Sequence, residues 1–289
     1  MAFVKFHPRS PRAGGFTLIE LLVSMVVLIS MVMMMARLFT ESTNAWALGT
    51  KRVNAAAEGR AVMDFIVREL TQAIADDVVT FRMNSENALY GVDAFGADSD
   101  ELIFAAMVRP GHSAYKRNVN QFAYFIAPMV DEENRVMPNR YRLVRTRRTT
   151  SIYESQANRE VHSAYRNPNW WREMGAVQAA YGTPAPSGVQ FGNMPNLETI
   201  AENVAAFEVW AWSERQGNYS WNFDSRDEDN QLPVWLDVYL EMLGEDEAQR
   251  AALLWAANQQ EAKEYISRNA QRFTARVYFP NRPRALAFR

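Results

Sequence analysis

A single carboxylate, Glu20, stands near the start of an otherwise uncharged apolar run that reaches Ala36. Within a membrane helix such a group costs on the order of 2.5–3.5 kcal/mol on insertion scales, and it normally has a partner. Gly14-Gly15-Phe16-Thr17 lies just before it, behind a short leader carrying Lys5, Arg9 and Arg12. Elsewhere the chemistry-bearing residues are sparse. There is no cysteine, which excludes disulfides, thiolate metal sites and cysteine nucleophiles. His7, His112 and His162 share no metal-ligand spacing. The glycine patterns of nucleophile elbows, P-loops and dinucleotide sites do not occur.

Five further groups of residues bear on function. Asp224, Asp227 and Asp229 are hard oxygen donors in one acidic loop and are the candidate calcium ligands. Their spacing is not that of an EF-hand, Arg226 sits among them, and the plainer reading is a solvated loop; no other cofactor is expected. Trp170 and Trp171, in a loop, are candidates for partner contact, because tryptophan is enriched at the centres of protein interfaces. Trp210 and Trp212 read instead as core. Arg142, Arg145, Arg147 and Arg148 alternate along a strand and read as a solvated face. With a net charge of -2 the chain has no global field for nucleic acid. Glu202, Glu208, Asp237 and Glu241 read as the outward face of a sheet.

The elements that carry these residues follow from pattern. Phe16 to Ala36 is long enough, at about 1.5 Å per residue, for about 31 Å of helix. That matches a hydrocarbon core of about 30 Å, and the basic leader places the remainder outside by the positive-inside rule. No proline occurs between Pro11 and Pro110, so the helix is expected to continue. Val62, Ile66, Leu70 and Ile74 recur every four residues, with Phe65 and Ala73 beside them and Arg68, Glu69 and Gln72 near or beyond the edges. Gly49 and Gly59 read as softer points. The expected division is leader 1–15, membrane helix 16–39, amphipathic continuation 40–78 and an exported domain 79–289.

Beyond Asp77 the period changes to two. Strands are expected over residues 102–108, 121–127, 140–147, 205–212, 235–242 and 273–279, arranged as two small antiparallel sheets. The segment 149–198, rich in Asn, Pro and Gly, reads as a long inserted loop. Residues 245–271 read as one helix, with Glu245, Asp246 and Glu247 in a first turn that favours negative charge. The fold class is α+β: a long N-terminal helix packed on antiparallel sheets.

The basic leader, the Gly15-Phe16 junction and Glu20 together resemble the processing and methylation signal of type IV pilins and type II secretion pseudopilins. The resemblance implies cleavage by prepilin peptidase between Gly15 and Phe16, and N-methylation of Phe16. It implies that Glu20 serves assembly by pairing with the amine of a neighbouring subunit. Further along, Asp64 to Leu70, Arg140-Tyr141-Arg142-Leu143-Val144-Arg145, Ile200 to Val209 and Leu232-Pro233-Val234-Trp235-Leu236-Asp237-Val238 resemble, in their order, the J-type minor pseudopilin. The segments 149–198 and 245–271 are longer than in a compact J-type protein and look more like enlarged relatives of Verrucomicrobia-type bacteria. The implied function is a non-enzymatic subunit at the tip of a type II secretion pseudopilus, in the inner membrane with its C-terminal domain in the periplasm. Its implied partners are prepilin peptidase, other minor and major pseudopilins and the inner-membrane secretion platform. Two other readings compete: a minor type IV pilin for adhesion or DNA uptake, and an exported enzyme on a pilin-like anchor.

Overall fold

The computed structural model describes residues 17–75, 79–84, 94–96, 99–106, 118–133, 135–151 and 197–282. The chain divides into two compact units, residues 1–51 and 52–289. Helix α1, Leu18–Leu70, begins in the first and ends in the second. In the first unit every large apolar side chain from Leu18 to Phe39 is exposed. A helix apolar on all sides needs lipid or protein around it. The segment is long and apolar enough to cross a membrane.

In the second unit α1 becomes one-sided. Val62, Met63, Ile66 and Leu70 are buried while Arg60, Asp64 and Arg68 remain exposed. The helix ends at Leu70, short of the expected residue 78. Ala73 and Ile74, which fit the helical stripe, instead form a short strand, β1 (Ala73–Ile74), paired with Ala105 and Ala106. Pairing to an existing strand edge has overridden the helical period there. Gly59 is not a soft point. It is buried, and a Cβ on it would run into the Phe273 ring, so its lack of a side chain lets helix and strand approach. Gly49 has open space around its Cα.

Beyond α1, the described part of the unit is built mainly of two antiparallel sheets. The first joins β1, β2 (Arg82–Asn84), β3 (Glu101–Ala106), β4 (Asn118–Val130), β5 (Val136–Ser151), β6 (Leu197–Glu202) and β9 (Phe223–Asp224). Its order is β6-β5-β4-β3-β2-β9, with β1 also on β3. The second has order β11-β10-β7-β8, from β7 (Val204–Ser213), β8 (Asn218–Ser220), β10 (Trp235–Met242) and β11 (Gln271–Tyr278). The expected strand at 235–242 has those bounds. β4 and β5 run well past the expected ends, and β1, β2, β6, β8 and β9 are too short or too irregular for period-two reading. Residues 149–151 belong to β5 and 197–198 to β6, so the expected insertion is narrower than 149–198; residues 152–196 lie outside the described residues.

The two sheets and the end of α1 share one core. Ile66 and Leu70 from the helix, Phe104 and Tyr124 from the first sheet, and Phe207 and Val238 from the second are all buried within it. Phe81 sits among Phe104, Phe223 and Phe279 at ring distances of 5.5–6.2 Å. Asp100 ties the sheets: its backbone N–H donates to Phe207 O, and its carboxylate accepts from Val209 N at 2.5 Å.

The expected helix 245–271 is two helices, α2 (Glu245–Ala257) and α3 (Gln259–Asn269), and Gln271 already belongs to β11. Asn258 makes the break. Its backbone is extended, and its side-chain oxygen accepts from Gln260 N and Glu261 N, capping α3. Asparagine competes well for that role and poorly for a helix interior.

Candidate functional site

Thr17 and Glu20 open α1 as a reciprocal cap. Thr17 N and Thr17 Oγ1 donate to Glu20 Oε2 at 3.0 and 2.8 Å, and Glu20 N donates to Thr17 Oγ1 at 3.4 Å. The Thr-x-x-Glu spacing satisfies two backbone donors that a helix start leaves without partners. It also holds the carboxylate at the N-terminal end of the helix, where negative charge is favoured. Further along, Ser24, Ser30 and Thr40 donate their hydroxyls to the carbonyls of Leu21, Val26 and Ala36. Those polar atoms are therefore spent inside the helix. Glu20 is the only ionisable side chain from Leu18 to Ala36. The arrangement is a lipid-compatible cylinder with one carboxylate turned toward its start. Gly15 and Phe16 lie outside the described residues, as do Trp170, Trp171, His112 and His162.

A second polar cluster lies where α1 meets the first sheet. Glu69, on the last turn of α1, is buried and bonds both Tyr124 Oη of β4 and Arg145 Nη1 of β5. Arg145 also pairs with Glu198 of β6. Its guanidinium lies 4.7 Å from the Phe65 ring centre and 5.6 Å from that of Phe122. Burial pushes the Tyr124 phenol well above its ordinary pKa, and the neighbouring Glu69 carboxylate adds to it. Burial alone would lower the pKa of Arg145, but Glu69, Tyr124 and Glu198 outweigh that and raise it.

This cluster corrects two expectations. Glu69 is not at the polar edge of the helix, and Arg145 does not belong to a solvated face. Arg142 is half-buried on the same strand, donating to Thr199 Oγ1 at 3.0 Å. Spacing carried the missed signal. Glu69 follows Ile66 by three and Val62 by seven, which puts it on the buried stripe. Arg145 follows Tyr141 and Leu143 in steps of two. A comparable bond joins Arg140 of β5 to Asn203 and to Glu245, the latter at 2.8 Å. Burial opposes ionisation of Glu245, but hydrogen bonds from Asn203 and Arg140 prevail and hold its carboxyl below the usual range.

The acidic loop does not gather its carboxylates. Asp224 accepts from Arg226 N at 3.0 Å and binds the Arg226 guanidinium, while Glu228 turns inward to Ser213 Oγ at 2.6 Å. Among the described residues no three His, Asp or Glu side chains converge as a metal site would require. Trp210 and Trp212 are not core residues. Both are half-buried, on the face of β7 opposite the buried Val209 and Ala211. Asp237, expected on the outward face of a sheet, lies on that face but is buried there, held by Arg276 Nε at 2.6 Å and Tyr219 Oη at 3.1 Å.

The comparison with known families bears on the first cluster. Residues 10–36 match the prokaryotic N-terminal methylation motif. That match supports a type IV pilin-like protein, processed by prepilin peptidase and assembled with other pilins. The α+β fold, a long apolar N-terminal helix followed by antiparallel sheets, is consistent with a pilin-like fold. The matched residues contain Gly15, Phe16, Thr17 and Glu20. No curated protein matches the chain.

Proposed function

We propose that this chain is a non-enzymatic minor subunit of a type II secretion pseudopilus, placed at the filament tip, where it primes assembly. In this reading prepilin peptidase cuts between Gly15 and Phe16 and methylates the new Phe16 amine. The apolar part of α1 anchors the chain in the inner membrane and later packs among neighbouring subunits. The second unit works in the periplasm, and the secretion platform drives extrusion. The observation that carries the reading is the methylation motif over residues 10–36, joined to an apolar helical stretch, Leu18 to Ala36, whose only charge is Glu20.

Cleavage changes what Glu20 faces. The Thr17 amide that it caps stands one residue from the new terminus, so the carboxylate sits beside the end where a free amine appears. Pairing with the amine of an adjacent subunit satisfies a charge that is costly in lipid and fixes the axial stagger of the packed helices. Calcium held by Asp224, Asp227 and Asp229 would require release of Arg226 and is not part of this reading.

Cross-linking in intact cells, denaturing purification and mass spectrometry of the captured chains tests the assignment. Recovery of pseudopilins together with secretion-platform proteins is the expected result. Recovery of surface pilins or DNA-uptake proteins instead would assign the chain to a type IV pilus.

A further inference from the structure

The outer face of the second sheet carries a row of four aromatic rings, one from each strand. Tyr219 of β8 stands opposite Trp212 of β7, Trp212 opposite Trp235 of β10, and Trp235 opposite Tyr278 of β11. The ring centres of the first two pairs are 5.0 Å apart and those of the last 6.4 Å. At about 4.8 Å between strands the row extends about 14 Å across the sheet. Trp210 and Trp221 add a second aromatic pair beside it. Tyr278 is 61% and Trp221 50% exposed.

The next row supplies polar groups of mixed kind. A small open cleft is lined by Asp237, Tyr239, Thr274 and Arg276. Asp237 is 7% exposed and fixed by Arg276, whose guanidinium also donates to Tyr219 Oη at 3.0 Å and lies 5.2 Å from the Trp235 ring centre. Tyr219 Oη in turn accepts from Trp235 Nε1 at 3.2 Å. Tyr219 and Trp235, the second of these stacked on Trp212, are thus held by the same network that lines the cleft.

We infer that this face is a binding platform for a neutral polysaccharide chain. Three properties select that ligand. First, the rings form a line: Trp212 and Trp235 stack on each other with 10° between their planes and Tyr219 stands edge-on to both, so the row is a rigid apolar ridge with the exposed rings of Tyr278 and Trp221 beside it, which suits a linear polymer at little cost in side-chain freedom. Second, the cleft places a carboxylate, a guanidinium and two hydroxyls side by side, and ligand hydroxyls, which both donate and accept, can satisfy such a set. Third, the charges of the face are matched to a neutral partner. Among the described residues Asp237 pairs with Arg276 and Glu241 with Arg272, and Glu208 on neighbouring β7 adds a further carboxylate. That balance offers no attraction to phosphate, so a single-stranded nucleic acid, which also stacks on aromatic rows, is disfavoured.

The inference is independent of leader processing: the motif reading can fail while the platform still binds, and the reverse. The test uses the full chain in a detergent without a sugar headgroup, because glycoside detergents would compete. Co-sedimentation with cellulose, chitin and starch is measured, followed by tryptophan-fluorescence titration with soluble oligosaccharides of whichever polymer retains the chain. Tyr278→Ala and Tyr239→Ala remove exposed rings and should leave the circular dichroism unchanged. Retention on at least one polymer, weakened fivefold or more by each substitution, is the expected result. No retention on any of the three, or retention that both variants keep unchanged, overturns the inference. So does loss of self-association in the variants without loss of glycan binding, which would assign the face to a second copy of the chain.

Discussion

Glu69 joins the helix to the sheet through a buried carboxylate that bonds a phenol and a guanidinium at once. Removing one member of a buried ion pair costs about 3–5 kcal/mol, because the other charge stays behind without a partner. Arg145 keeps Glu198, so the lower end of that range applies: Glu69→Ala should lower stability by about 3 kcal/mol in denaturant titration. Tyr124→Phe removes a single bond to a charged acceptor and should cost about 1.5–3 kcal/mol. Glu245 gives a pH dependence. Its folded pKa lies below the unfolded one, so its stabilising contribution is complete above the unfolded pKa of about 4.5 and disappears as pH falls through the folded value. The carboxylate is largely exposed, and solvent screening limits the effect to about 0.5 kcal/mol. Glu245→Gln should therefore narrow the stability difference between pH 7 and pH 3 by a small but measurable amount.

At the scale of elements, α1 depends on Gly59 for its approach to β11. Gly59→Ala forces the Phe273 ring aside, and overpacking of that kind costs about 1–3 kcal/mol. A second substitution, Phe273→Leu, should recover part of the loss, which a glycine acting only through helix propensity would not allow. The same element shows what sequence can and cannot reveal. The all-round apolar half of α1, its one-sided half and the alternating strand β11 were legible, because each repeats its period over many residues. The helix end at Leu70 was not, since Ile74 continues the helical spacing and only pairing with β3 takes it out. The break at Asn258 was legible in principle: a strong capping residue stood inside a helix of only moderate apolar pattern. Glu69 and Arg145 had the right spacing but the wrong polarity, and a charge on a buried stripe is recognisable only once its partner from a distant strand is known. The aromatic row has no local signal at all. Tyr219, Trp212, Trp235 and Tyr278 come from four strands, and register alone brings them together.

At the scale of the whole molecule, the two units have separate tasks. The first presents an apolar helix with Glu20 near its start; the second is held together by its own core. Glu20→Ala should therefore leave the second unit folded and leader removal intact, while filament recovery falls severalfold in a shearing assay. Normal filament recovery from that variant would remove Glu20 from assembly. Gly15→Ala should act one step earlier, leaving the full-length chain in the membrane. The most direct measurement is the mass of the N-terminal peptide from cells expressing prepilin peptidase. A chain that begins at Phe16 and carries one added methyl group on its amine is the predicted result. An uncut leader, or a new terminus beyond Ala36 of the kind an ordinary secretory signal produces, would contradict the account.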